Sequence, residues 1–333
     1  MSTQIAIASF PMLKFRQPPK DPGVIFLEDT DRPLPEVLNP NTRYMFTGEI
    51  AKGGKSVILS CKDLHLSRVV AYKTLRSEFV DDEIENTRLL REARVSGMLQ
   101  HPNTMPVYEV GRDRKGHYYF TMKLVHGYTL REILDYRERY DLTQLVYVIE
   151  QIGHALANAH AHRVAHRDIK PENILVGPYN EVLLLDWGLA KVWSKDGCTS
   201  DDDNLQTSEV SDSDMSITGH GKLQGTLCYM SPEQIRRDPN ISFSTDIYSL
   251  GSVLYEVLTG RTPFSGDTSY EIMDKVQNQA PASPSTIAKF KVPKILEQLC
   301  MKCLHKDAAD RPASMDVFLR VLQQDWAKDL VKK

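Results

Sequence analysis

Residues 166–173 read His166-Arg167-Asp168-Ile169-Lys170-Pro171-Glu172-Asn173, and Asp186-Trp187-Gly188 follows shortly after. The stretch places a carboxylate base (Asp168), a cation (Lys170) and two oxygen ligands for a hard divalent metal (Asn173 and Asp186) within about twenty residues. Any one of these residues alone carries little information. In this order they fit phosphoryl transfer from a nucleotide to a hydroxyl group. Asp168 can accept the hydroxyl proton or orient the hydroxyl for in-line attack, and Lys170 can neutralise charge on the transferring group.

Upstream, residues 44–119 show short alternating apolar runs typical of strands, interrupted by one helix predicted over residues 83–99 and ended by His101-Pro102. Val69-Val70-Ala71-Tyr72-Lys73 is a strand whose period of two puts Val69, Ala71 and Lys73 on one face. A lysine at a buried edge needs a partner, and Glu92 in the predicted helix supplies one. Residues 1–43 read as an extension broken by Pro18, Pro19, Pro22, Pro33, Pro35 and Pro40.

Downstream, helices dominate. Asp141 with Gln144 forms a capping-box pattern for a helix reaching about His162, with Leu145, Ile149, Ile152 and Leu156 on one face. Residues 245–258 are apolar nearly all round, which predicts a buried central helix closed by Gly260. Between these helices lies an acidic, Ser/Thr-rich stretch, residues 194–218, with too little apolar surface to order itself.

Composition narrows the class. With 41% hydrophobic and 26% charged residues and a net charge of -3, the chain reads as a soluble globular protein with no field for nucleic acid or anionic membranes. No apolar run is long enough to span a bilayer, and the start lacks a signal-peptide pattern. Five cysteines make no disulfide framework, so the expectation is a cytoplasmic protein. Cys300-x-x-Cys303 has no second pair and reads as core-facing helix cysteines. His160 and His162 diverge on a helix, which argues against a histidine metal site with His166.

The motifs together resemble a protein kinase domain, most closely the bacterial (Hanks-type) serine/threonine kind. The resemblance covers residues 44–326: a β-rich N-lobe (44–122), a helical C-lobe (126–326) with the acidic activation-loop insertion, and a tail (327–333). It implies a bilobal α+β fold. Ala51-Lys52-Gly53-Gly54-Lys55-Ser56-Val57-Ile58 aligns with the glycine-rich G-x-G-x-x-G-x-V loop over the nucleotide, with Ala51 and Ser56 in place of the first and third glycines. Val70-Ala71-Tyr72-Lys73 matches the V-A-I-K strand, and Lys73 with Glu92 would hold the α- and β-phosphates. By the same resemblance Met122 is the gatekeeper beside the adenine, and the backbone of Lys123 and Val125 reads its edge, with Ala71 nearby. Asp168, Lys170 and Thr226 form the catalytic group, and Asn173 and Asp186 hold Mg²⁺ with ATP, with Mn²⁺ as the alternative metal.

The resemblance also assigns structural roles. Gly225 to Glu233 matches the end of the activation segment, with Ser231 replacing the alanine of A-P-E; Glu233 would pair with Arg311, and Asp246 would anchor the catalytic loop. Trp187 stands where most relatives carry Phe. Lys170 points to serine or threonine as acceptor, on protein substrates. Arg167 implies a grip on a phosphorylated loop residue, Thr218 first and Ser216 second, reached by autophosphorylation between self-associating copies. The alternative is a pseudokinase serving as a nucleotide-binding scaffold. Ala51 and Ser56 favour it, whereas the presence of Lys73, Glu92, Asp168, Asn173 and Asp186 opposes it.

Overall fold

The computed structural model describes residues 42–193 and 225–326, together with residues 30, 33 and 34. The whole acidic stretch, residues 194–218, with Thr218 and Ser216, lies outside the described residues, as do residues 1–29 and 327–333.

Strands β1 (Tyr44–Lys52), β2 (Ser56–Asp63), β3 (Arg68–Leu75), β4 (Val107–Arg112) and β5 (Tyr118–Lys123) form an antiparallel sheet in the order β1-β2-β3-β5-β4. Alternation along β3 serves both faces. Ala71 and Leu75 pack with Leu89 and Ala93 of helix α1 (Glu83–Met98) and with Phe120 and Met122. Val70 and Tyr72 pack on the opposite face with Cys61 and Tyr119, where the Tyr72 and Tyr119 rings stack with centroids 4.4 Å apart. Arg43 locks this outer face by binding Asp63 at 2.8 Å and also Glu109. Helix α1 starts where Asp82 accepts the N–H groups of Ile84 and Glu85, which satisfies two donors that otherwise lack partners.

The remainder is mainly helical, so the fold is α+β and bilobal. Short β6 (Tyr128–Thr129) leads into α2 (Leu130–Leu134) and then α3 (Leu142–Ala161), whose Asp141–Gln144 capping box is formed as its sequence pattern predicts. Leu145, Ile149, Ile152 and Leu156 are fully buried on its inner face. Strands β7 (Val164–Ala165), β8 (Ile174–Val176), β9 (Val182–Leu184) and β10 (Lys191–Val192) build two small sheets, β10-β7 and β6-β8-β9. These sheets fix both ends of the 166–173 loop.

Helices α4 (Pro232–Ile235), α5 (Ser244–Thr259), α6 (Ser269–Asn278), α7 (Pro284–Ile287), α8 (Lys294–Cys303) and α9 (Met315–Arg320) complete the lobe. Helix α5 is its axis, buried at every position from Thr245 to Leu258. Gly260 caps it at φ +73°, a left-handed conformation that costs glycine little. Cys300 and Cys303 are buried on α8 against α5, with Cys300 Sγ 3.6 Å from the Gly251 carbonyl oxygen. A β-carbon on Gly251 would fall 2.4 Å from Cys303 Cβ, so this glycine is what lets the two helices meet.

Candidate active site

The 166–173 loop is held from beneath and within. Asp246, buried in α5, accepts the backbone N–H groups of His166 and Arg167 at 2.9 Å each, and His160 Nε2 lies 2.8 Å from its Oδ2. Burial alone would push the Asp246 carboxyl up; the His160 hydrogen bond and the backbone donors outweigh it and hold it below the ordinary value. His166 Nδ1 accepts the Asp168 N–H at 3.2 Å, which leaves the proton on Nε2 to donate to the Leu185 carbonyl at 2.9 Å. The imidazole therefore ties the loop to the strand segment that delivers Asp186.

Within this frame Lys170 Nζ reaches both Asp168 oxygens, at 2.8 and 2.7 Å, and lies 3.5 Å from Thr226 Oγ1. Asn173 Nδ2 donates to the Asp168 carbonyl at 2.8 Å and to Asp168 Oδ2 at 2.9 Å. An amide that spends its nitrogen this way keeps its carbonyl oxygen for a cation. Asp186 sits in the left-handed region at φ +62°, which aspartate tolerates better than most residues. Burial works to raise its carboxyl, but Lys73, Lys170 and His166 prevail and keep it below the ordinary range.

Between the lobes lies a cleft of about 540 Å³. Lys73, Glu92, Asn173 and Asp186 line it together. Lys73 Nζ contacts the two Glu92 oxygens at 2.7 and 2.6 Å. Burial opposes the Lys73 charge, but Glu92 and Asp186 more than offset this and raise its affinity for the proton. Burial, reinforced by Asp186, pushes the Glu92 carboxyl up to about 7 against the pull of Lys73.

The protein kinase domain family matches residues 44–327. The chain belongs to the protein kinase family. It is 35% identical over 296 residues to the serine/threonine-protein kinase PknD of Protochlamydia amoebophila, covering 84% of this chain and 29% of that protein. It is 32% identical over 286 residues to the serine/threonine-protein kinase Pkn3 of Myxococcus xanthus (84% and 49%). It is 34% identical over 291 residues to the serine/threonine-protein kinase PknL of Mycobacterium tuberculosis (86% and 67%). The chain thus spans well under two thirds of the first two relatives. No described helix is long and apolar enough to cross a membrane.

The kinase cleft gathers most residues singled out in the sequence. Ala51, Lys52, Gly53, Ser56, Ile58, Ala71, Met122, Lys123 and Val125 line it. Gly54, Lys55 and Val57 of the 51–58 loop lie outside its lining. Val57 points to the opposite face of β2 from Ser56 and Ile58, as strand alternation requires. The Gly54 carbonyl is taken by Arg76 Nη1 at 2.9 Å, and Lys55 turns outward to Glu85 at 2.7 Å. The Lys123 N–H is engaged with the Pro106 carbonyl at 3.0 Å, so it is not a donor to the cleft. Sequence reading missed Leu175, Leu185, Glu132 and Glu172 as lining residues. For Leu175 a signal existed: its neighbours Ile174 and Val176 are buried on the other face of β8.

A second group missed from sequence ties the kinase floor together. Arg131 of α2 contacts Glu256 of α5 at 2.7 Å and Glu172 of the loop at 3.0 Å, and it also bonds the Tyr229 hydroxyl. Glu233 and Arg311, by contrast, are partners expected from the sequence, and they form a buried two-point pair at 2.7 and 2.8 Å. Trp187 is fully buried, with its ring centroid 4.5 Å from that of His166. His160, His162 and His166 go to three separate partners: Asp246, the Asn158 carbonyl and the Leu185 carbonyl.

Proposed function

We propose that this protein transfers the γ-phosphoryl group of ATP to serine and threonine hydroxyls of proteins. The observation that carries this reading is the Asp168–Lys170–Asn173 cluster, bonded to one wall of the cleft that Lys73, Glu92 and Asp186 also line. A substrate hydroxyl placed against Asp168 gives up its proton as its oxygen bonds to the γ-phosphorus and the bond to the leaving ADP oxygen breaks. Lys170 steadies the charge on the transferring group, and Thr226 beside it joins the activation segment to the same point. Lys73, fixed by Glu92, holds the α- and β-phosphates.

The Asn173 carbonyl oxygen and the Asp186 carboxylate are hard donors, and two protein ligands suit a metal that completes its shell with phosphate and water. Mg²⁺ held there would neutralise charge between the phosphates, and the same donors accept Mn²⁺. The retention of Lys73, Glu92, Asp168, Asn173 and Asp186 in one site argues against a scaffold-only role. The domain limits proposed are residues 44–326, and the control residues proposed are Thr218 and then Ser216, modified by another copy of the chain.

The test is phosphate transfer from radiolabelled ATP, with Mg²⁺, to the protein itself and to a generic substrate. Wild type should label serine and threonine only, and Asp168→Asn and Lys73→Met should label neither. Absence of label from wild type, together with heat protection by nucleotide, would leave a binding scaffold instead. Sustained activity of a Thr218→Ala/Ser216→Ala double variant would remove the control-residue assignment.

A further inference from the structure

Helix α1 holds two lysines with two buried carboxylates. Glu92 takes Lys73, as the kinase reading requires. Glu85, equally buried and seven positions earlier, takes Lys55 from the tip of the 51–58 loop, with Nζ 2.7 Å from Oε1. Seven positions are close to two helical turns, so both carboxylates lie on one face, about 10 Å apart along the axis. Arg88 lies between them and adds its own contact to Glu85 at 2.8 Å.

The loop tip is fastened on its other side as well. The Lys55 carbonyl accepts the Arg76 backbone N–H at 2.9 Å, and the Gly54 carbonyl accepts Arg76 Nη1 at 2.9 Å. Arg76 follows directly on β3, the strand that carries Lys73. Loop tip, end of β3 and first turn of α1 therefore meet at one junction. Lys55 lies outside the cleft lining, so its contact with α1 does not compete with space for a ligand.

We propose that the Lys55–Glu85 pair is a latch that makes closure of the nucleotide loop and placement of Glu92 a single event. The pair positions; it does not touch the reacting atoms. Two features give it leverage. The loop lacks glycine at Ala51 and Ser56 and thus has fewer places for its backbone to approach phosphates closely, which raises the value of an external hold. Glu85 keeps Arg88 when Lys55 leaves, so the latch can open without stranding a bare buried charge. The inference rests on the kinase reading for the identity of the ligand, but the latch itself exists in the nucleotide-free protein.

The experiment therefore has two arms, using Lys55→Met, Glu85→Gln, their double variant and Glu83→Gln, an exposed carboxylate on the same helix turn, as control. Amide exchange of the nucleotide-free protein should speed up in residues 51–58 and in the first turn of α1 for Lys55→Met, and not for Glu83→Gln. In the second arm the KM for ATP should rise about fivefold in either single variant, with kcat within about twofold, and no further in the double variant. In a Glu92→Gln background Lys55→Met should add nothing to the loss of ATP affinity, which a purely local role would not produce. Exchange and KM equal to wild type in Lys55→Met overturn the latch, as does an additive loss in the Glu92→Gln background. Faster exchange in a protein that binds no Mg-ATP would keep the latch and overturn the kinase reading.

Discussion

Asp246 accepts the backbone N–H of Arg167 at 2.9 Å and holds that residue in the left-handed region at φ +71°. An arginine there is strained, and the strain persists because a buried carboxylate over-determines it. Asp246→Ala leaves two backbone donors and His160 unpaired, so denaturant melting should show a loss of about 3–5 kcal/mol. The pH dependence follows from the sign of the shift. The folded-state carboxyl lies below the ordinary 3.8, so its contribution is complete above that value. It is lost as pH falls through the depressed value. Asp246→Asn should remove that part of the acid limb.

Glu92 behaves in the opposite sense. Burial and Asp186 raise its carboxyl to about 7 despite Lys73. As pH falls through that value the carboxylate takes up a proton and Lys73 loses its anchor. The profile of kcat/KM for ATP, which reports the groups of the unliganded enzyme, should bend downward near pH 7 and fall about tenfold per unit below it. Glu92→Gln should be slow at every pH and lack the bend. Stability should run the other way. A raised folded value means that the contribution of this group is complete below 4.5 and is lost as pH rises through about 7. Glu92→Gln should therefore melt no lower than wild type at pH 8, which separates the catalytic loss from unfolding.

These two carboxylates also mark how far sequence reading reached. The Glu92–Lys73 pair was legible because strand alternation and a helix pattern announce both partners and their order. The 141–162 helix and the Gly260 cap were legible for a similar reason, since capping chemistry is local. His160 was read only as a histidine diverging from His162, yet it bonds Asp246 from 86 positions away in sequence. Arg131, which joins Glu172, Tyr229 and Glu256, has no local mark at all, because each partner lies 41 or more positions away. The outward turn of Lys55 depends on a carboxylate 30 positions on, which a reading of the loop motif alone cannot supply.

Trp187 permits a sharper substitution test. Its side chain is fully buried and its indole Nε1 makes no hydrogen bond among the described residues. Trp187→Phe loses buried volume but also removes a buried donor without a partner, which relieves a desolvation penalty of about 1–3 kcal/mol. The two effects oppose each other, so the variant should lie within about 1 kcal/mol of wild type and keep its phosphotransfer. Trp187→Ala also removes that donor, but its far larger cavity dominates and it should lose about 3–5 kcal/mol. Urea melts of the two variants, with activity of Trp187→Phe, decide the point.

Glu233 and Arg311 give the most asymmetric prediction. The arginine is wholly buried and serves more than its carboxylate. Besides Glu233 it bonds the carbonyls of His305 at 2.9 Å, Ser244 at 3.0 Å and Lys306 at 3.1 Å. Glu233 has Thr245 Oγ1 at 2.9 Å as a second donor. Removing the arginine strands an ionised carboxylate and three carbonyls, so Arg311→Met should cost about 5 kcal/mol. Glu233→Gln keeps a polar group against Arg311, whose charge still faces three carbonyls, and should cost about 2 kcal/mol. The double variant should cost less than the two losses combined, because no buried charge remains to be compensated. The carboxyl of Glu233 is under strong upward pressure from burial, yet Arg311 keeps it below 4.5. Its stabilising share is therefore present above that pH and vanishes as pH falls, so the gap between wild type and Arg311→Met should narrow in acid. Urea titrations of the four proteins at pH 7 and near pH 4 test the ranking, and equal costs for the two single variants would overturn it.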